Sequence, residues 1–367
     1  MRRLFIKSSV KDVMAIEIKL NLGSLQEHKP GTANVLIPLW RMSEQAKELE
    51  RLGVSFSLEK GFDFLSVRVK ARYVTIDKVT ELLTGMLLNP PVEKFEDAIR
   101  EAKALIATSR EDTATRAIAE VLRLLFRNHP YSIHPTAFDY KLNEITKEDI
   151  KRALDNLGVI SVTVVAPEDV VTINLPSVDY TELPIREFGN GSIDIKLENK
   201  VQATIAIAYP TYEITNLEGS FRMMVVNTIL GGMGLISRLY KEVRVKRGLA
   251  YYAYSMYWPL GSSGVFLAMA GVRREVLKEA IDIMLNVINN ATVTIEDLNM
   301  AVRNRVGRLK ISKESPEGIA SLFSVIPTYG LSNDYYDRYI SYISKLRPED
   351  IANEIKNLTR HVIATVG

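Results

Sequence analysis

The sequence predicts an α+β protein of two tandem homologous domains, each a mostly antiparallel sheet with helices packed on one face. Three observations carry this reading. The run Ile145-Thr146-Lys147-Glu148-Asp149-Ile150, continuing to Asn156-Leu157, returns as Leu346-Arg347-Pro348-Glu349-Asp350-Ile351, continuing to Asn357-Leu358. Phe95-Glu96-Asp97 likewise returns as Ile295-Glu296-Asp297, and a spacing of about 200 residues is a duplicated domain rather than a solenoid. Both copies run through the same order of patterns, and in both the strand-like runs cluster apart from long helical ones. A chain of 367 residues has room for two such domains. The boundaries fall at 1–173 and 192–367, with a linker at 174–191 that is rich in Pro, Asp, Glu and Gly and lacks any period.

In the first copy, Ile16, Ile18, Leu20 and Leu22 alternate with Glu17, Lys19 and Asn21, the pattern of a strand buried on one face and wet on the other. A helical stretch from about Thr32 to Leu52 follows. Val54–Lys60 and Phe62–Lys70 read as a hairpin turning at Gly61. Val79, Leu82, Leu83 and Met86 form one apolar stripe, stopped by Pro90-Pro91. Two longer helices start near Val92 and Thr113, and Thr146-x-x-Asp149 is a capped helix start leading to the strand Val159–Val165. The second copy repeats the plan. Gln202–Ala208 is a strand, Leu217–Leu230 a helix, Ala250–Tyr257 and Gly264–Ala270 a strand pair, and Leu277, Ile281, Met284 and Ile288 a helical stripe. A short strand from His361 to Val366 closes the chain.

Composition removes whole function classes. Forty-seven basic against 44 acidic side chains give a net charge of +3 with no dense basic run, so the footprint of a nucleic-acid binder is missing. Cys is absent, which excludes disulfides, thiolate zinc sites and cysteine nucleophiles. The start of the chain lacks a signal-like apolar stretch, and no window is apolar enough for a membrane span. A cytoplasmic protein is the expectation.

The stretch Leu230-Gly231-Gly232-Met233-Gly234-Leu235-Ile236-Ser237-Arg238-Leu239-Tyr240, with Glu242-Val243-Arg244-Val245-Lys246-Arg247-Gly248-Leu249-Ala250-Tyr251 after it, resembles the second-domain signature of the insulinase and mitochondrial processing peptidase family. The duplication, the linker and the loop His129-Pro130-Tyr131 extend the likeness over nearly the whole chain. It implies a processing-peptidase-like fold and two subunits that close on unfolded peptides. Active members carry His-x-x-Glu-His on the first domain's first helix. Its two His and a distant Glu hold zinc, and its own Glu acts as general base on the metal-bound water.

Here Gly23-Ser24 and Gly31-Thr32-Ala33 match the approach to that motif, but the five positions read Asn34-Val35-Leu36-Ile37-Pro38. Both imidazoles are lost, to Asn34 and Pro38, and the base is lost to Ile37. No Glu stands at Leu105 or Ile106, where the third ligand is expected, and Glu101 is the nearest substitute. The expectation is therefore no catalytic residue and no metal in this chain by itself. Of the four histidines, His129 and His134 share a Pro-bearing loop and read as ordinary hydrogen-bonding side chains, while His28 and His361 make no convincing ligands.

The resemblance also implies an Arg and a Tyr seven residues apart that position the peptide across the cavity from zinc. These are Arg244 and Tyr251, both intact. A guanidinium and a phenol can donate hydrogen bonds to a substrate carbonyl and to the oxyanion grown from it. On spacing alone, Arg244 reads as an ion-paired helix end and Tyr251 as core; the flanking match favours substrate contact. Gly231, Gly232 and Gly234 read as a tight turn. Alternation on the aromatic strand sets Tyr252 and Tyr254 opposite Tyr251.

The expected function is that of a non-catalytic, substrate-binding subunit of a heteromeric zinc peptidase. Zinc would come from a homologous partner subunit, and unfolded peptides would be the substrate. The alternatives are a scaffold protein of the same fold, like the core subunits of respiratory complexes, and a homodimeric peptide-binding protein without proteolytic function.

Overall fold

A computed structural model describes residues 2–138, 140–169, 172–198 and 200–367. The first repeat comprises β1 (Arg2–Lys7), β2 (Val13–Leu20), α1 (Thr32–Arg41), α2 (Glu44–Arg51), β3 (Ser55–Lys60), β4 (Leu65–Arg72), α3 (Ile76–Leu88), α4 (Phe95–Glu111), α5 (Thr113–Phe126), α6 (Lys147–Asp155) and β5 (Val159–Ala166). The second begins with β6 (Gly191–Ile195), β7 (Gln202–Thr211), α7 (Leu217–Asn227), β8 (Ala250–Pro259), β9 (Gly264–Arg273) and α8 (Leu277–Asn289). It ends with α9 (Ile295–Ser312), α10 (Pro316–Phe323), α11 (Val325–Tyr329), α12 (Tyr335–Ile343), α13 (Pro348–Lys356) and β10 (Val362–Val366).

Two five-stranded sheets share one topology, β1-β5-β2-β4-β3 and β6-β10-β7-β9-β8. Among the described strands β1 on β5 and β6 on β10 pair in parallel, and the other strand pairs are antiparallel. The expected α+β fold of two like sheets is borne out. The hairpin sits in the register Leu58 opposite Val67, with the Gly61 amide donating to the Phe64 carbonyl at 2.9 Å to close its turn.

Three local readings change. The helical stretch from Thr32 to Leu52 is two helices, because Ser43 caps α2 by accepting from the Ala46 amide while donating to the Trp40 carbonyl. β1 and β6 are strands that alternation did not mark. Each is short and pairs with a strand far along the chain, Arg2 opposite Ser161 and Val362 opposite Gly191. β6 begins at the last residue of the expected linker.

The third change concerns β2, which is buried on both faces. Ile16, Ile18 and Leu20 are in the core as expected, but Glu17 and Lys19 are also buried, at 2% and 4% exposure. The cause lies in how the chain distributes itself. One compact unit takes residues 1–108, 135–181 and 310–332; the other takes 109–134, 182–309 and 333–367. The repeats are sequential, yet each compact unit holds a helical segment from the other repeat.

In the first unit, α10 lies across β2 and β5, with Ala320 packed on Ala15 and Val165. Glu317 of α10 pairs with Lys70, and Thr328 of α11 bonds Ser161 at 2.7 Å. Lys19 is enclosed by the ring of Phe64, 4.3 Å from its ammonium, and donates to Ser66 at 2.8 Å. Burial lowers its pKa, with Glu17 pulling the other way. In the second unit, α5 covers β7 and β10, and Thr113 meets Thr204 at 2.9 Å. No helix among the described residues is long and apolar enough to cross a membrane.

Candidate functional site

The first unit's α1 carries Asn34, Ile37 and Pro38, the positions that the resemblance sets against the zinc motif. Val35, Leu36, Leu39 and Trp40 are fully buried, each such side chain contributing roughly 1.5–3 kcal/mol on leaving water. Gly31 precedes the helix at φ +101°, a left-handed conformation, and a Cβ there would come within 3.0 Å of Tyr140 and Leu142. No side chain at that position can therefore cap the helix. Glu27 does so instead, accepting from the Gly31 amide at 3.2 Å and the Ala33 amide at 2.8 Å.

Around Asn34 the site is closed by a buried ammonium. Lys60, at the end of β3, donates to Glu27 at 2.6 Å, to the Asn34 amide oxygen at 3.0 Å and to the Tyr140 hydroxyl at 3.0 Å. The Asn34 amide nitrogen donates to the Pro135 carbonyl at 2.9 Å. The Lys60 and Glu27 side chains are each 1% exposed. Burial alone would drive the Lys60 pKa down, but Glu27 and Tyr140 overcome it and hold it above the ordinary lysine value. Tyr140 is pushed up by burial.

Asn34, Ile37 and Pro38 thus do not fit zinc. The amide oxygen of Asn34 is already engaged by a cation, Ile37 has no proton acceptor, and Pro38 is buried in the helix interior with no donor atom. Glu101 lies opposite Arg41 at 4.0 Å. Among the described residues no group of three His, Asp or Glu side chains is placed to hold a metal. Both ring nitrogens of His129 are taken: Nδ1 accepts from the Tyr131 amide at 3.1 Å, so Nε2 donates to the Leu183 carbonyl at 2.9 Å. His28 lies 2.7 Å from the Arg152 guanidinium, and the His361 ring is 5.3 Å from Tyr209.

Lys60, Glu27 and Tyr140 were not flagged by sequence reasoning. They lie on separate elements far apart in the chain, and no motif spacing links them.

The second unit carries Arg244 and Tyr251. α7 ends in a widened turn at Thr228–Gly232, and a second widened turn, Tyr240–Val245, leads to β8. Gly231 is fixed by packing, since a Cβ there would lie 2.1 Å from the Ser255 amide. In the second turn, Glu242 pairs with Lys246 at 2.5 Å and Arg247 at 2.7 Å, leaving Arg244 without that carboxylate. The Arg244 guanidinium lies over the Tyr240 ring at 5.1 Å and is exposed.

Tyr251 sits where the β8–β9 register shifts between Ala250 and Tyr252. Such a bulge re-aims the side chain, and Tyr251 is 49% exposed rather than core. Among the described residues no hydrogen bond or ion pair holds either the Arg244 guanidinium or the Tyr251 hydroxyl. Tyr252 points to the other partner set, meeting Thr204 at 2.9 Å.

A two-unit α+β protein built on two like five-stranded sheets is the class that this geometry defines. A model described as the peptidase M16 inactive domain matches residues 170–304. The chain is 26% identical over 164 residues to an uncharacterized zinc protease of Streptomyces coelicolor, covering 44% of this chain and 35% of that one. It is 29% identical over 138 residues to the uncharacterized zinc protease YmxG of Bacillus subtilis, covering 37% and 33%. The chain therefore spans about a third of the length of these two relatives.

By fold it is similar to a peptidase M16 inactive domain from Pseudomonas fluorescens, with TM-score 0.85 at 20% identity over 100% of this chain and 95% of that one. A protease from Helicobacter pylori follows at TM-score 0.83 and 19% identity, covering 99% and 96%. The likeness to the insulinase-like, M16 family read from the sequence holds.

Proposed function

We propose that this protein is the substrate-holding subunit of a heteromeric zinc peptidase, supplying Arg244 and Tyr251 to a cavity shared with a zinc-bearing homologous subunit. One contrast supports the reading. The amide oxygen of Asn34, at one of the expected ligand positions, is taken by Lys60, whereas Arg244 and Tyr251 stand exposed with no hydrogen-bond partner among the described residues. Retaining two unspent donors while losing the metal half is what a complementary subunit requires. Their chemistry suits a peptide carbonyl and the oxyanion it becomes.

The test uses the full chain as bait. Mass spectrometry of co-purifying proteins should find a homologue bearing His-x-x-Glu-His, and the reconstituted pair should cleave an unfolded casein that neither chain cuts alone. Arg244→Ala should slow that cleavage by about a hundredfold, the usual effect of losing one oxyanion donor. Full-speed cleavage by an intact Arg244→Ala complex overturns the assigned role and favours the scaffold reading. One tightly held zinc per isolated chain overturns the division of labour.

A further inference from the structure

The Arg244–Tyr251 face carries more than two donors. Leu235, Ile236 and Val245 are 69%, 47% and 64% exposed. They stand on a short turn at Gly234–Ile236 and on the Tyr240–Val245 turn, which pack on each other, the latter also on β8 beside Tyr251. Aliphatic side chains left in water singly are ordinary; gathered on adjoining elements they mark a contact surface.

The charge on the same stretch is one-sided. From Arg238 to Arg247 there are five basic residues and one acid, Glu242. Arg238 is neutralised by Asp297 at 2.8 Å. Glu242 serves both Lys246 and Arg247, one carboxylate for two cations. Lys241 and Arg244 are exposed, with no acidic partner among the described residues. The stretch is thus apolar with a surplus of positive charge among its own side chains.

We infer that this face selects extended peptide segments that combine bulky apolar side chains with acidic ones. The inference rests on the substrate-holding reading above and adds the substrate class to it. Apolar side chains would cover Leu235, Ile236 and Val245, while carboxylates would lie near Lys241 and the Lys246–Arg247 pair. Arg244 stays free for the peptide carbonyl. A basic peptide would meet uncompensated like charge, which costs affinity.

The experiment measures fluorescence anisotropy of labelled peptides with the full chain. Three short unstructured peptides are compared: one rich in Glu and Phe, one rich in Lys and Phe, one rich in Glu and Ser. At low salt the Glu/Phe peptide should bind at least about tenfold tighter than the Lys/Phe peptide, and the gap should narrow as salt screens the charges. Lys241→Glu should shrink the gap several-fold. The double variant Leu235→Ser, Ile236→Ser should weaken both Phe-containing peptides alike and leave the acidic preference in place. Equal or tighter binding of the Lys/Phe peptide, or indifference to Lys241→Glu, overturns the acidic assignment alone. Binding of none of the three by a chain with an unchanged thermal melt overturns the face as a peptide site, and the substrate-holding reading with it.

Discussion

Lys60 holds a positive charge beside Asn34. Its ammonium is matched by Glu27 at 2.6 Å in a place where each side chain is 1% exposed. Such a pair is worth little against a well-packed apolar substitute, but removing one partner strands a buried charge, at a cost of roughly 3–5 kcal/mol. Lys60→Met should therefore lower the urea midpoint sharply, and adding Glu27→Gln should restore much of the loss. An unchanged midpoint for Lys60→Met contradicts this account of the cluster. Asn34, Ile37 and Pro38 lie within five consecutive positions, so the spacing of one motif addresses all three. Lys60 and Tyr140 reach the same spot from a strand end and a distant loop, and only the fold reveals their meeting. Tyr251 was ambiguous for a similar reason, since alternation assigns faces only while the register is unbroken.

Among the elements, α6 offers a pH test. Its start is a capping box in which Thr146 accepts from the Asp149 amide at 3.2 Å and Asp149 accepts from the Thr146 amide at 2.8 Å. The Lys29 ammonium beside Asp149, followed by the Thr146 bonds, holds the carboxyl down to about 2. A carboxyl depressed in the folded state adds stability above its unfolded pKa of about 4, and that stability drains as pH falls from there toward the folded value. Acid titration of Asp149→Asn should show a shallower loss across this window than the parent; parallel curves would contradict the assignment. Thr146-x-x-Asp149 was legible because capping is local. At the entry to α1, Gly31→Ala should cost upwards of about 1 kcal/mol in thermal melts, because a side chain is disfavoured at its positive φ. β1 and β6 escaped a sequence reading because a parallel partner leaves no mark in neighbouring residues.

For the molecule as a whole, the duplication was plain in the sequence, but the exchange of segments was not. The alternation Ile16, Glu17, Ile18, Lys19 promised one wet face, and composition cannot announce that α10, from the far end of the chain, will lie across that strand. The exchange makes each unit depend on both repeats. A fragment ending at 181 lacks α10 and α11 and leaves Ala15 and Val165 uncovered. It should show no cooperative melt by itself, and mixing it with the fragment that begins at 182 should recover one. Two independent melts from the separate fragments would refute this dependence.

Interleaving of this kind also governs what a protease can achieve. A single cut near residue 181 severs the backbone, but each daughter peptide still owns a helical segment lodged in the unit built mainly by its sibling. Nicked material should therefore elute as one species in gel filtration and come apart only in denaturant, so that scission there leaves the assembled particle intact.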